Sequence, residues 1–215
     1  MVLSELEAPT RTNSTPNDRA ISLKIIHYPH PTLRHKSKPV KRVNRELKEI
    51  VREMFTLMYK ANGIGLAANQ VDLPLQLFVI NLSGKPEEGE ERVFINPVIS
   101  QPRSQAEAEE GCLSIPEVNG TVLRPEKIHV SAFDLSGTEI NETVDGLLAR
   151  AIQHEHDHLH GVLFIDRLSD SVKKNIDGQL YEFENHHEAL VKSGEVPDPE
   201  TNAKRLAEIE AKFCG

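Results

Sequence analysis

The chain has 215 residues, and 33 acidic against 25 basic side chains leave it with a formal charge of −8, which argues against broad phosphate or DNA binding. A domain of this length buries roughly 70% of its unfolded surface and needs no staples, while two cysteines, Cys112 and Cys214, exclude a disulfide scaffold and suit a reducing cytoplasm. No run approaches the ~18 apolar residues of a membrane span, and residues 1–20 hold no apolar block, so neither a membrane span nor a secretory leader is expected.

Residues 1–20, rich in Ser, Thr, Pro and Asn without periodicity, read as a flexible tail. Structure is expected from Ile21, where His27-Tyr28-Pro29-His30-Pro31 imposes an extended, turning segment. Asn44 is a good helix cap, and Leu47, Ile50, Val51, Met54, Leu57 and Met58 follow at helical spacing until Asn62-Gly63 stops the run. Leu75 to Leu82 and Val93 to Ile99 have strand length, and Ser136-Gly137 between two further strands predicts a hairpin. Gly146 to His160 returns to helical spacing. Weaker helical patterning follows from Ser169, and Pro197 and Pro199 set off a short amphipathic piece with Leu206, Ile209 and Phe213. Strands bracketed by helices without regular βαβ alternation imply an α+β fold.

The segment Gln153-His154-Glu155-His156-Asp157-His158 carries the most chemistry. His154 and His158 are four residues apart, so on a helix both imidazoles leave one face and can share a metal, and Glu155 beside them can take a proton from water. Leu147, Ala151, His154 and His158 share that face, whereas Leu148, Ile152 and Leu159 lie on another side suited to a core. His156 and His160 form a rival pair with no glutamate after the first member; these read as exposed or locally hydrogen-bonded.

Two ligands do not complete a catalytic site. His154-Glu155-x-x-His158-x-x-Gly161 begins like a metzincin protease signature, but the third histidine that signature requires is replaced by Phe164. Upstream, Cys112 is the other candidate; a lone cysteine is more often a small buried apolar residue, and nothing local decides. Gly63-Ile64-Gly65-Leu66-Ala67-Ala68-Asn69-Gln70 offers close backbone approach and an amide donor, though in isolation it reads equally well as packing.

In order, the segments Gly63 to Gln70, Glu110-Gly111-Cys112-Leu113-Ser114 and His154 to His158 resemble the three signature motifs of the peptide deformylase family, and the likeness runs from about Ile21 to Leu168. The resemblance implies a catalytic domain over 21–190 with an extension, partly helical, over 191–215. It also implies antiparallel or mixed β-sheets around a central metal-bearing helix, with an N-terminal and a C-terminal helix. Cys112, His154 and His158 would be metal ligands, Glu155 the general acid/base, and Gln70 with the Leu113 backbone N–H the oxyanion site. The cofactor would be one divalent metal, Fe(II) in the cell, with Zn, Ni or Co able to occupy the site. Hydroxide generated at the metal would attack the N-formyl group of a formyl-methionyl nascent polypeptide, releasing formate. Ile64, Gly65, Gly111, Leu147, Arg150 and Ala151 would contact substrate. Arg150 stands where relatives more often have an apolar residue, and Asn119 where many carry Arg. Some relatives approach the ribosome through a C-terminal helix. Here Ser169 to Gly215 holds 6 basic and 10 acidic residues, a balance of −4 that leaves at most a transient contact. A metallopeptidase using the same helix and a silent metal-binding scaffold are the rival readings.

Overall fold

Asn44 opens the first helix because its side-chain oxygen accepts from the Leu47 N–H at 2.8 Å, satisfying one donor that a helix start leaves free. The computed structural model describes residues 23–215, so the tail expected over 1–20 lies outside the described residues. This helix, α1 (Arg45–Lys60), buries Leu47, Ile50, Val51, Met54, Phe55 and Met58. Leu57, expected in that stripe, is only half-buried, and Phe55 takes its share. The stop lies one residue earlier than glycine chemistry suggests: Asn62 itself adopts the left-handed conformation, at φ 57°.

Among the described residues, seven strands form two antiparallel sheets. β1 (Gly65–Ala67), β2 (Leu77–Ile80), β3 (Arg92–Arg103), β6 (Lys127–Phe133) and β7 (Glu139–Asp145) make the larger sheet in that spatial order, and β4 (Ala106–Cys112) pairs with β5 (Ile115–Arg124) in a separate ribbon. All four residues of β2 are buried, which explains its unbroken apolar run. The Ser136-Gly137 hairpin forms as expected: Asp134 Oδ1 accepts from the N–H groups of Ser136 and Thr138, each at 2.8 Å.

The ribbon is the element that patterning misses. β4 is small and acidic, with no apolar alternation. In β5 the inward series Ile115, Val118, Gly120, Val122 ends on a buried arginine, Arg124.

Helix α2 (Gly146–Leu159) lies between sheet and ribbon. Ala149, Ile152 and Leu159 pack with Phe78, Phe94 and Val130 of the sheet, while His158 reaches Cys112 at the end of β4. One helix therefore serves the core and the site, as its two faces imply. Helix α3 (Asp170–Ser193) backs the ribbon through Val172 and Ile176, and runs unbroken through residue 190. Helix α4 (Pro199–Cys214) returns to α1 and buries Phe213 among Leu47, Val51 and Leu75. The α+β architecture agrees with the sequence. Among the described residues no helix is long and apolar enough to cross a membrane.

Candidate metal centre

β4 ends on Cys112, and the chain turns there through Leu113 and Ser114 into β5, lifting the sulfur towards α2. The Cys112 Sγ lies 3.3 Å from His158 Nε2. One ligand atom each from Cys112, His154 and His158 fall within 4.8 Å of one another, the only such metal-capable group among the described residues. One sulfur and two imidazole nitrogens suit a first-row transition cation better than Mg or Ca, and three protein ligands leave a position open. Electrostatics agree with that donor set. Burial opposes charge on His154, but the Cys112 sulfur and the Glu110 carboxylate lift its pKa to about 10, and surroundings that favour a proton there also favour a cation. Burial, reinforced by His154, holds His158 well below its ordinary value, which favours the neutral ring that a cation would need.

A carboxylate that the motif reading left without a role organises this centre. Glu110, 7% exposed, receives Arg124 on both oxygens at 2.6 and 2.9 Å, and its Oε2 lies 3.0 Å from His154 Nδ1. That contact directs His154 Nε2 into the site. Arg150 Nη1 also donates to Glu110 at 2.7 Å, and its other nitrogen donates to the Ala106 carbonyl at 2.6 Å. Arg150 thus clamps α2 to the ribbon while it still lines the cavity over the three donors. On the far side Arg124 donates to Asp157 at 2.7 Å, and Arg167 also pairs with Asp157.

A cavity of about 630 Å³ opens over the three donors. Eleven of the twelve residues singled out from sequence line it; His158 lies behind. Gln70 is held by three contacts: its Oε1 accepts from the Ala67 N–H at 2.8 Å, and its Nε2 donates to Ser114 Oγ at 3.2 Å and faces Cys112 Sγ at 3.4 Å. Gly65 matters by close approach, because a Cβ there would lie 2.4 Å from Glu155 Oε1. Burial pushes Glu155 up to about 7, and its Oε2 has no partner among protein groups. Leu147 sits at the rim, 54% exposed, and Ala151 is buried below it. Among the described residues β1 pairs only with β2 and β4 only with β5, so each offers an unpaired margin to the same cavity.

The rival sites do not assemble. His156 and His160 contact each other, at 4.4 Å between ring centroids, with no third donor among the described residues. Phe164 is buried and stacks on His154 at 6.3 Å, filling the place a metzincin ligand would need. Sequence reasoning missed Glu110, Arg124, Asp157 and Arg167. Only the Glu110-Gly111-Cys112 adjacency signalled any of them.

A family model described as polypeptide deformylase matches residues 22–174. A peptide deformylase of Rhodopirellula baltica is 48% identical over 193 residues, covering 90% of this chain and 96% of that protein. The chloroplastic peptide deformylase 1B of Solanum lycopersicum is 42% identical, covering 93% of this chain and 72% of that protein. Among solved structures, Arabidopsis thaliana peptide deformylase 1B superposes with a TM-score of 0.77 at 39% identity, over 82% of this chain and 96% of that one.

Proposed function

The chain belongs to the polypeptide deformylase family, and on that premise we propose that the centre described above removes the formyl group from formyl-methionyl polypeptide ends by the division of labour that follows. The observation that supports it is the convergence of Cys112, His154 and His158 beneath a cavity into which the unpartnered Glu155 carboxylate opens.

Cys112, His154 and His158 would hold the cation, with Glu110 orienting His154 and the Ser114 N–H, 3.4 Å from Cys112 Sγ, supporting the sulfur. When bound, a cation of this kind supplies Lewis acidity that brings the pKa of water to roughly 7. The sulfur and imidazole set suits Fe(II) in the cell and accepts Zn, Ni or Co. Glu155 takes one proton from the attacking water as the new C–O bond forms at the formyl carbon. Gln70 Nε2 and the Leu113 backbone N–H receive the negative charge on the formyl oxygen, each such donor being worth about 10²–10³ in rate. Glu155 then delivers the proton to the departing amine nitrogen as the C–N bond breaks, leaving formate and a free amino terminus. The peptide would enter as an added strand between the β1 margin at Ile64-Gly65 and the β4 margin at Gly111. Leu147, Ala151 and the Arg150 stem would wall the first side chain. The cytoplasm suits the unpaired thiols.

Formate release from a formyl-Met peptide, using protein purified without oxygen, tests the assignment. Glu155→Gln should lower kcat by about 10² or more while one metal stays bound. Cys112→Ser should lose tight metal binding. Deformylation surviving Glu155→Gln near the parent rate would remove Glu155 from the proton path.

A further inference from the structure

Among the described residues four buried side-chain atoms lack a protein partner: Ser37 Oγ, Asn69 Oδ1, Glu155 Oε2 and His158 Nδ1. Glu155 faces the cavity, and its Oε2 has the reaction to serve. The residues that bear the other three meet at one place, the last turn of α2. Asn69, fully buried, donates its amide N–H to the His158 carbonyl. Ser37, 2% exposed, donates its backbone N–H to the Leu159 carbonyl at 2.9 Å. These contacts pin both residues to consecutive carbonyls of that turn, and one side-chain oxygen of each is left without a partner.

The set is complementary. His158 presents Nε2 towards Cys112 Sγ, and a neutral ring that gives Nε2 to a cation carries its proton on Nδ1, a donor without an acceptor. Asn69 Oδ1 is an acceptor without a donor, and the Ser37 hydroxyl can act as either. A metal-ligating histidine nearly always gives its second N–H to a carboxylate, a carbonyl or a water. His154 has Glu110 for this purpose. A buried water typically makes about three hydrogen bonds to polar groups otherwise left unsatisfied, and three such atoms are present. We propose that Asn69 is the positioning residue for His158, acting through one internal water that Ser37 Oγ also holds. The water would accept from His158 Nδ1–H and donate to Asn69 Oδ1, fixing the tautomer and the ring plane behind the metal. This inference rests on the ligand set under Proposed function.

Zinc release to a chromophoric chelator reads it directly. Asn69→Ala and Ser37→Ala should each speed release about tenfold or more, the usual cost of losing such a partner. Val71→Ala, in the same turn, should change it less than twofold. Release at the parent rate in both variants, or an equal acceleration by Val71→Ala, overturns the proposal. In case the variants fold poorly, ¹⁵N-histidine NMR of the zinc-loaded parent protein gives a second reading. The His158 Nδ1–H should be slowly exchanging and show a cross-peak to a long-lived water, and absence of that cross-peak overturns the proposal. A parent protein that takes up no zinc at all would instead remove the proposed ligand set, and this inference with it.

Discussion

Glu110 shows how one side chain can carry several obligations. Its carboxylate faces the guanidinium groups of Arg124 and Arg150 and the ring of His154. Glu110→Gln leaves buried Arg124 short of a counter-charge and frees the His154 ring. Breaking one side of a buried ion pair typically costs 3–5 kcal/mol, so urea unfolding should show a loss of about that size, with weaker metal retention. A loss below about 1 kcal/mol would mean that water replaces the carboxylate at little cost. Gly65→Ala probes the opposite case, a residue that matters by having no side chain. Its Cβ would press on Glu155 Oε1, so kcat should fall at least tenfold while metal content stays at the parent level, and an unchanged kcat would show that Glu155 can yield without consequence. At this scale the sequence was legible where spacing along one helix fixes direction, as for His154 and His158. The role of Glu110 was not, because its partners come from β5 and α2, and nothing local distinguishes it from the exposed Glu109 beside it.

Among the elements, the segment before α1 acts as a strap across the site. The Ile26 N–H donates to the Gln70 carbonyl at 2.8 Å, and the Tyr28 N–H to the Ser114 carbonyl at 2.9 Å, so one strand of chain ties the turn bearing Gln70 to the turn following Cys112. The strap is latched to α3, since Tyr28 OH donates to Glu184 at 2.6 Å. Burial, and then that hydrogen bond, push the Tyr28 phenol up to about 12 from an ordinary value near 10. The fold therefore favours the neutral phenol. Its contribution is fully present below pH 10 and is lost as the pH rises through 12. Absorbance at 295 nm should show one late ionisation near pH 12 that Tyr28→Phe deletes, whereas complete titration of the chain's three tyrosines by pH 11 would exclude the latch. The strap was legible in outline, because Pro29 and Pro31 disfavour helix in the residues just before them. The β4–β5 ribbon was not legible: a one-sided two-stranded ribbon needs few apolar residues, and its inward end is an arginine neutralised by tertiary partners.

Across the whole molecule, the three donors come from two layers, Cys112 from the ribbon and both histidines from α2. A cation held by all three would cross-link those layers in the folded state only, adding about 2.7 kcal/mol when present at a hundred times its dissociation constant. Chelation should accordingly lower the Tm by several degrees in a calorimetric scan, and Cys112→Ser should abolish most of that difference; an unchanged Tm would count against a shared cation. The α+β class was readable from the order of elements, whereas the meeting of β4 with α2 was not, since no local pattern encodes which loop faces which helix. The unpaired margins of β1 and β4 carry a consequence for timing. If the peptide enters between two strand edges as proposed, the slot would take a polypeptide whose own amides are still uncommitted, and an N-terminus already wound into a helix has spent them. Deformylation by this route belongs to the interval before the client's first residues fold, so among proteins with identical starts, those that structure their ends fastest should be the ones found still formylated.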